Sequence, residues 1–211
     1  MLGECEEHGY FRGDCCPLCG EEGKFLMSDE EMEKVGRTMA GILRHFPERF
    51  NLEMDEQGYV SIRDLAAAMR ENSRRLHWLR PHHIVALAES DPKGRYAISN
   101  DKVRATYGHT IDLDLQHPTA NIPEKLFYPA TPEEAEIILE MGIMPSDRKM
   151  VHLSKTYEDA FAVGSIRVDE PIILEIDTVS AIAGGVTISQ AARTVYLCRE
   201  MPPQYLRVYH G

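Results

Sequence analysis

No stretch of the 211-residue sequence runs through the roughly eighteen or more consecutive apolar residues that a membrane-spanning helix requires. Met1 is not followed by a basic and then apolar leader, so a soluble, cytoplasmic protein with no membrane partner is expected. There is no internal repeat, no low-complexity segment and no glycine-rich phosphate loop, and no order of serine, histidine and aspartate suggests a hydrolase. Cations are also in short supply. Lys and Arg number 23 against 34 Asp and Glu, and the net charge of −11 argues against a generally polybasic nucleic-acid binder.

The deficit of positive charge is uneven. Between Val60 and Thr110 nine basic residues stand against five acidic ones, a local excess of +4 that suits one anionic substrate engaged at one place. Cysteine is uneven too: four of the five fall within the first nineteen residues, and Cys198 stands alone in an apolar, strand-like segment. Clustered cysteines without a secretion signal point to metal rather than disulfides. The N-terminus reads Cys5-Glu6-Glu7-His8, a turn-rich link through Gly9 and Gly13, then Cys16-Pro17-Leu18-Cys19. Two short-spaced ligand pairs on tight turns supply a tetrahedral Zn²⁺, and Cys5, His8, Cys16 and Cys19 are assigned to it, although Cys15 is an alternative to Cys16. With so few apolar residues nearby, this module is expected to depend on its metal for folding.

Ser28 and Glu31 have the spacing of a capping box, and Met32, Val35, Met39, Ile42, Leu43 and Phe46 recur at helical intervals until Pro47. Arg44 and His45 therefore belong to the helix's C-terminal end. Ser61 and Asp64 open a second helix over Leu65 to Met69, and Pro81 opens a third. A hairpin follows, Arg95 to Ser99 and Lys102 to Tyr107, turning at Asn100-Asp101. Beyond His117-Pro118 and Pro123 the pattern changes to short strands between helices: Thr131 to Glu134 caps a helix ending at Gly142, and Met150 to Ser154, Pro171 to Asp177 and Thr194 to Cys198 read as strands, the second almost wholly apolar and so expected to be central. The expected fold is α+β, divided into a zinc module at 1–27, a winged-helix lobe at 28–117 and an α+β lobe at 118–211.

Gly41-Ile42-Leu43-Arg44-His45-Phe46-Pro47-Glu48 resembles the helix end that opens the RNA 2′-phosphotransferase family. Asp55 to Val60, Gly94 to Ser99, Val103 to Thr110, Gly142 to Pro145 with Arg148, Val151 to Ser154, Val163-Gly164 and Arg167 follow in family-like order across residues 32 to 211. The resemblance implies an N-terminal winged-helix lobe receiving RNA and a C-terminal ADP-ribosyltransferase-like lobe holding NAD⁺. It implies that an internal RNA 2′-phosphate, with tRNA as the expected carrier, attacks C1″ of the nicotinamide ribose. Attack by the 2″-hydroxyl then releases 2′-hydroxyl RNA and ADP-ribose 1″,2″-cyclic phosphate. Arg44, His45, Arg104 and Arg167 carry over as the catalytic set. His109 and Thr110 carry over as RNA contacts, and Tyr128, Arg148, His152, Ser154 and Gly164 as NAD⁺ contacts. Guanidinium forks hold a phosphate in fixed geometry without titrating, and a histidine can hydrogen-bond it or move its proton.

Two departures stand out. Leu126-Phe127-Tyr128-Pro129-Ala130 replaces a leucine-tyrosine-histidine-glycine-threonine string, which puts Tyr128 at the histidine position, and Thr106-Tyr107 replaces asparagine-glutamine before Gly108-His109. Two other functions compete: an ADP-ribosyltransferase acting on phosphorylated nucleic-acid ends or protein, and a non-enzymatic zinc and winged-helix DNA-binding regulator. The regulator would read bases from a recognition helix around Glu71 to Leu79, with Arg74, Arg75 and His77. A monomer is expected.

Overall fold

The computed structural model describes residues 1–111, 113–146 and 148–210, and the chain folds as two compact units, Met1–Leu115 and Gln116–Gly211. Both mix helices with antiparallel sheets, so the fold is a mixed α and β one, in keeping with α+β. No helix among the described residues is long and apolar enough to cross a membrane.

The first unit begins with a three-stranded sheet of β1 (Leu2–Cys5), β2 (Gly9–Arg12) and β3 (Lys24–Met27) in the order β2-β1-β3. These strands replace the link of turns expected from the sequence. Leu2, Leu26 and Met27 are buried in the same core as the helices that follow, so the N-terminal segment is not poor in apolar anchors: its sheet leans on the unit's main core. Helix α1 (Asp29–His45) starts at the Ser28–Glu31 capping box, where each side chain bonds the other residue's backbone, and buries Val35, Met39, Ile42 and Leu43. Its end is set by Pro47, which lacks the amide that another turn would use. Then come β4 (Val60–Ser61), α2 (Ile62–Glu71), capped by Ser61 on the amide of Asp64, α3 (Pro81–Glu89), and the hairpin β5 (Tyr96–Ser99) and β6 (Lys102–Ala105). Asn100 turns the hairpin at φ 55, and β6 lies between β4 and β5.

Among the described residues the second unit holds one antiparallel sheet and three α-helices: β7 (Lys125–Ala130), α4 (Pro132–Met141), β8 (Val151–Ser154), α5 (Tyr157–Gly164), β9 (Ile172–Asp177), α6 (Thr178–Ala183), β10 (Ser189–Gln190), β11 (Val195–Cys198) and β12 (Leu206–Val208), with the strands in the order β10-β11-β8-β7-β9-β12. The apolar β9 is interior but not central. The central pair is β8 and β7, because the three-residue β12 adds only a short edge beside β9. Cys198 on β11 is buried, and burial pushes its thiol up to about 12, which makes it an inert core residue.

Candidate active site

In the first unit the last turn of α1 and the loop leaving β6 fold onto each other. Thr110 donates its amide to the carbonyl of Arg44 at 3.1 Å, occupying an acceptor that a helix end leaves open, and its hydroxyl lies 3.1 Å from Nδ1 of His45. The Arg44 guanidinium is stacked over the Tyr107 ring, 4.9 Å from its centroid, and backs onto Gly108. Arg104, half-buried on β6, donates Nη1 to the carbonyl of Gln57 at 3.0 Å and lies over the Tyr59 ring at 4.8 Å. Between those two partners is Gly58, where a Cβ would stand 3.9 Å from Nε2 of the buried His109. Arg44, His45, Arg104, His109 and Thr110 are thus tied together by the loop 106–110 and the turn 57–59.

The arginines are held in place without being neutralised. Nε and Nη2 of Arg44 and Nε of Arg104 are buried with no hydrogen-bond partner among the described residues. Leaving a buried donor unsatisfied costs about 1–3 kcal/mol, more for a charged group. Buried guanidinium donors of this kind have the chemistry to take an anion with several acceptor oxygens. The sequence pointed to the arginines and missed the platforms beneath them. Tyr107, noted as a departure from the family string, is the ring that carries Arg44.

Gly108 makes the close approach possible. It has φ +84, and an added Cβ would lie 3.3 Å from Nε of Arg44. Gly108→Ala is expected to destabilise the protein by about 1–2 kcal/mol through left-handed strain. It should lower turnover further than this loss of fold accounts for, because the guanidinium has to move. Urea unfolding and turnover measured on the same sample separate the two effects. Unchanged turnover would mean that the position of Arg44 does not matter.

The other sequence-selected residues stand in the second unit. Arg167, in the turn after α5, grips Glu134 with both nitrogens, Nη2 to Oε1 at 2.5 Å and Nη1 to Oε2 at 3.2 Å. Glu134 also caps α4 through the amide of Thr131, and the hydrogen bond from Arg167 holds its carboxyl below the usual range. His152 and Ser154 are two apart on β8 and so share a face; Nδ1–H of His152 donates to the carbonyl of Met150 at 2.9 Å. Ser154 stands opposite Phe127 in register, which puts Phe127 on that face and Tyr128 on the other, packed against two apolar clusters. The structure therefore brings His152 and Ser154 together and leaves Tyr128 on the reverse of the sheet. Gly164 is a packing position, since a Cβ there would fall 2.6 Å from Pro171 and 2.9 Å from Pro129. Arg148 is exposed in the bend before β8. The sequence did not reveal an aromatic group of Phe127, Tyr157, Phe161 and Tyr209, with Tyr209 5.5 Å from Phe127 and 5.1 Å from Tyr157 between centroids.

The ligand atoms of Cys5, His8, Cys16 and Cys19 all lie within 4.8 Å of one another. Sγ of Cys5 is 3.4 Å from Nδ1 of His8 and 3.8 Å from Sγ of Cys19, and Sγ of Cys16 is 3.7 Å from the same nitrogen. A tetrahedral ion with bonds of ~2.0–2.3 Å spaces its donors about 3.5–3.8 Å apart, so the four atoms have the geometry to hold a metal. Backbone amides of Cys19 and Leu18 hold the Cys16 thiol down at about 7, which favours the thiolate a metal binds. Cys15, left open by its spacing, is exposed and outside the group.

Arg44 and Arg104, with His45 beside Thr110, form no ion pair among the described residues. The sequence model of the RNA 2′-phosphotransferase, Tpt1 / KptA family matches residues 30–200. The chain is 43% identical to a probable RNA 2′-phosphotransferase of Methanosarcina barkeri, over 99% of each chain. It is 44% identical to one from Thermoplasma acidophilum, over 95% of this chain and 85% of that one, and 42% identical to the first of two from Archaeoglobus fulgidus, over 96% and 92%. The chain belongs to the RNA 2′-phosphotransferase family and is an enzyme of that kind.

Proposed function

We propose that the protein removes an internal 2′-phosphate from RNA, with tRNA as its substrate, in an NAD⁺-dependent transfer. The observation that carries this reading is Arg44 and Arg104: Nε and Nη2 of the one and Nε of the other are buried without acceptors among the described residues, while tyrosine rings fix their planes. Arg44 and Arg104 hold the phosphate oxygens as preorganised forks, which stabilise charge without reorganising during reaction. His45, oriented by Thr110, stands at the rim to hydrogen-bond the phosphate or move a proton, and His109 and Thr110 meet the adjoining RNA. Arg167, in the second unit, is the fourth member of the catalytic set that the resemblance implies, and its exposed ion pair with Glu134 is worth about 1 kcal/mol or less.

The first unit corresponds to a winged-helix lobe with the β5–β6 hairpin as its wing, and the second to an ADP-ribosyltransferase-like lobe. NAD⁺ fits the chemistry of the second unit. His152 and Ser154 offer polar groups on one face of the sheet, and Phe127 on that face belongs to a group of rings suited to flat heterocycles. Arg148 supplies charge for a pyrophosphate, and Gly164 sets the seat of α5. Bound there, NAD⁺ would supply the ribose that takes up the phosphate as nicotinamide leaves, by way of an ADP-ribosylated 2′-phosphate, with ADP-ribose 1″,2″-cyclic phosphate as the final product. Tyr128 supports that site through the sheet. Tyr128→Phe should therefore leave the KM for NAD⁺ unchanged, and Tyr128→Ala should raise it and cost stability by opening the apolar clusters that back the sheet. Steady-state kinetics over an NAD⁺ series, with thermal unfolding, test this. Unchanged KM and stability in Tyr128→Ala would refute it.

Cys5, His8, Cys16 and Cys19 hold a structural Zn²⁺ outside the chemistry. Elemental analysis should find about one zinc per chain. Full zinc in a variant lacking all four ligands would contradict the assignment.

A further inference from the structure

From Asn72 to Ala88 the sequence holds three arginines, three histidines and the chain's single tryptophan, with no acidic residue, in a protein of net charge −11. The reaction site uses none of them. α2 ends at Glu71, one 3-10 turn covers Arg74–Leu76, and α3 begins at Pro81, so the recognition helix considered from the sequence is a connecting loop. Its side chains are arranged by bonds to the loop's own carbonyls. Trp78 Nε1 donates to Arg75 O and His77 Nδ1 to Arg74 O, both at 3.1 Å; Arg80 Nη1 donates to His77 O and Leu79 O, both at 2.9 Å; Arg70 Nη1 donates to Leu79 O at 3.1 Å. Such a loop loses little freedom on binding.

Beneath it, the Trp78 ring meets His83 edge-on at 5.0 Å, and His82 lies 4.0 Å from His83. His83 accepts the amide of Arg80 at 3.0 Å. Burial, then the charges of His82 and Arg80, hold its pKa down to about 4, so it serves as an uncharged acceptor fixing the start of α3. Arg74, Arg75 and Arg80 are exposed, and none takes part in an ion pair among the described residues. Glu31, in the first turn of α1, acts electrostatically on His83, whereas Arg44 closes the last turn of the same helix. The thirteen-residue separation of Glu31 and Arg44 spans about 20 Å of α1.

We propose that this loop is a second RNA contact, gripping the sugar-phosphate backbone about 20 Å from the reacting nucleotide, with half-buried Trp78 as a stacking surface for a base. Arginines without ion-pair partners among the described residues, set around an indole in an acid-free stretch of an acidic protein, complement a polyanion that carries bases. The proposal rests on the reading that Arg44 and Arg104 hold the reacting phosphate. It makes the enzyme sensitive to RNA lying well beyond the 2′-phosphate.

The test uses the full chain, a 2′-phosphorylated trinucleotide and a 2′-phosphorylated hairpin whose stem runs past the loop. In the double variant Arg74→Ala, Arg75→Ala, two exposed positions, KM for the hairpin should rise about tenfold, and the log–log salt dependence of hairpin binding should become shallower by about 1.5–2. kcat and the trinucleotide kinetics should not change. An unaltered hairpin KM, as a protein occupant of the loop would give, or an equal rise on both RNAs, would overturn the proposal. Arg44→Ala checks the underlying reading separately. It should fail on both RNAs, and full activity there would refute the phosphate site whatever the loop variant does.

Discussion

Arg44→Ala should lower 2′-phosphate removal by about a hundred- to a thousandfold, the usual cost of deleting one preorganised donor from a charge-stabilising site, while leaving the protein no less stable. The two halves of this expectation have one cause. Nε and Nη2 of Arg44 are buried without acceptors among the described residues, so the side chain costs the folded protein something that only a bound anion offsets. Arg44→Lys keeps the charge and loses the fork, and should recover only part of the activity. Arg104→Ala should behave similarly, with an added loss of stability because Nη1 also ties β6 to Gln57. Single-turnover product formation and thermal unfolding on the same preparations check both. Wild-type turnover in Arg44→Ala would remove the phosphate site from this end of α1.

Asp91→Ala should destabilise the protein by about 3 kcal/mol, since removing one member of a buried charge group leaves its partners uncompensated. The Asp91 side chain is fully buried at the junction of three elements: Arg95 binds it with its backbone amide at 2.7 Å and with Nη2 at 2.7 Å, and Arg12 of β2 approaches at 3.7 Å. Desolvation alone would raise its pKa. The hydrogen bonds from Arg95 and the charges of Arg95 and Arg12 outweigh it and hold the carboxyl below its ordinary 3.8. A carboxyl depressed in the folded state contributes stability that is present above its unfolded pKa and is lost as pH falls through the folded value. Urea unfolding across the acid range should show that loss in the parent and a flatter profile in Asp91→Asn. Equal stability and equal acid sensitivity in parent and Asp91→Asn would sink this account of how β2, α3 and β5 are joined.

What could be read in advance follows from how local each signal is. Capping at Ser28, Ser61 and Thr131 depends on residues three apart, and all three caps are formed. The hairpin turn needed only a residue tolerant of positive φ, and Asn100 is one. Strand order is a property of the whole sheet, so apolarity identified β9 as interior but could not place β7 and β8 at the centre. The N-terminal sheet escaped notice because its strands are four residues long and their partners lie up to twenty-five residues away, as Leu2 does from Met27. At the site, the charged residues announced themselves by type. Their supports did not, because Tyr59, Tyr107 and Gly108 act by position, and a ring under a guanidinium has no pattern in the sequence. Tyr128 shows the same limit in reverse: a motif position suggested its neighbours, and the alternation of β7 turned it to the other face of the sheet.

The central claim is tested most directly by incubating the full chain with a 2′-phosphorylated oligoribonucleotide, with and without NAD⁺, and resolving all products. The expected result is 2′-hydroxyl RNA, nicotinamide and ADP-ribose 1″,2″-cyclic phosphate in equal amounts, with no turnover when NAD⁺ is omitted. Release of inorganic phosphate without NAD⁺, or accumulation of an ADP-ribosylated RNA as the final product, would contradict it.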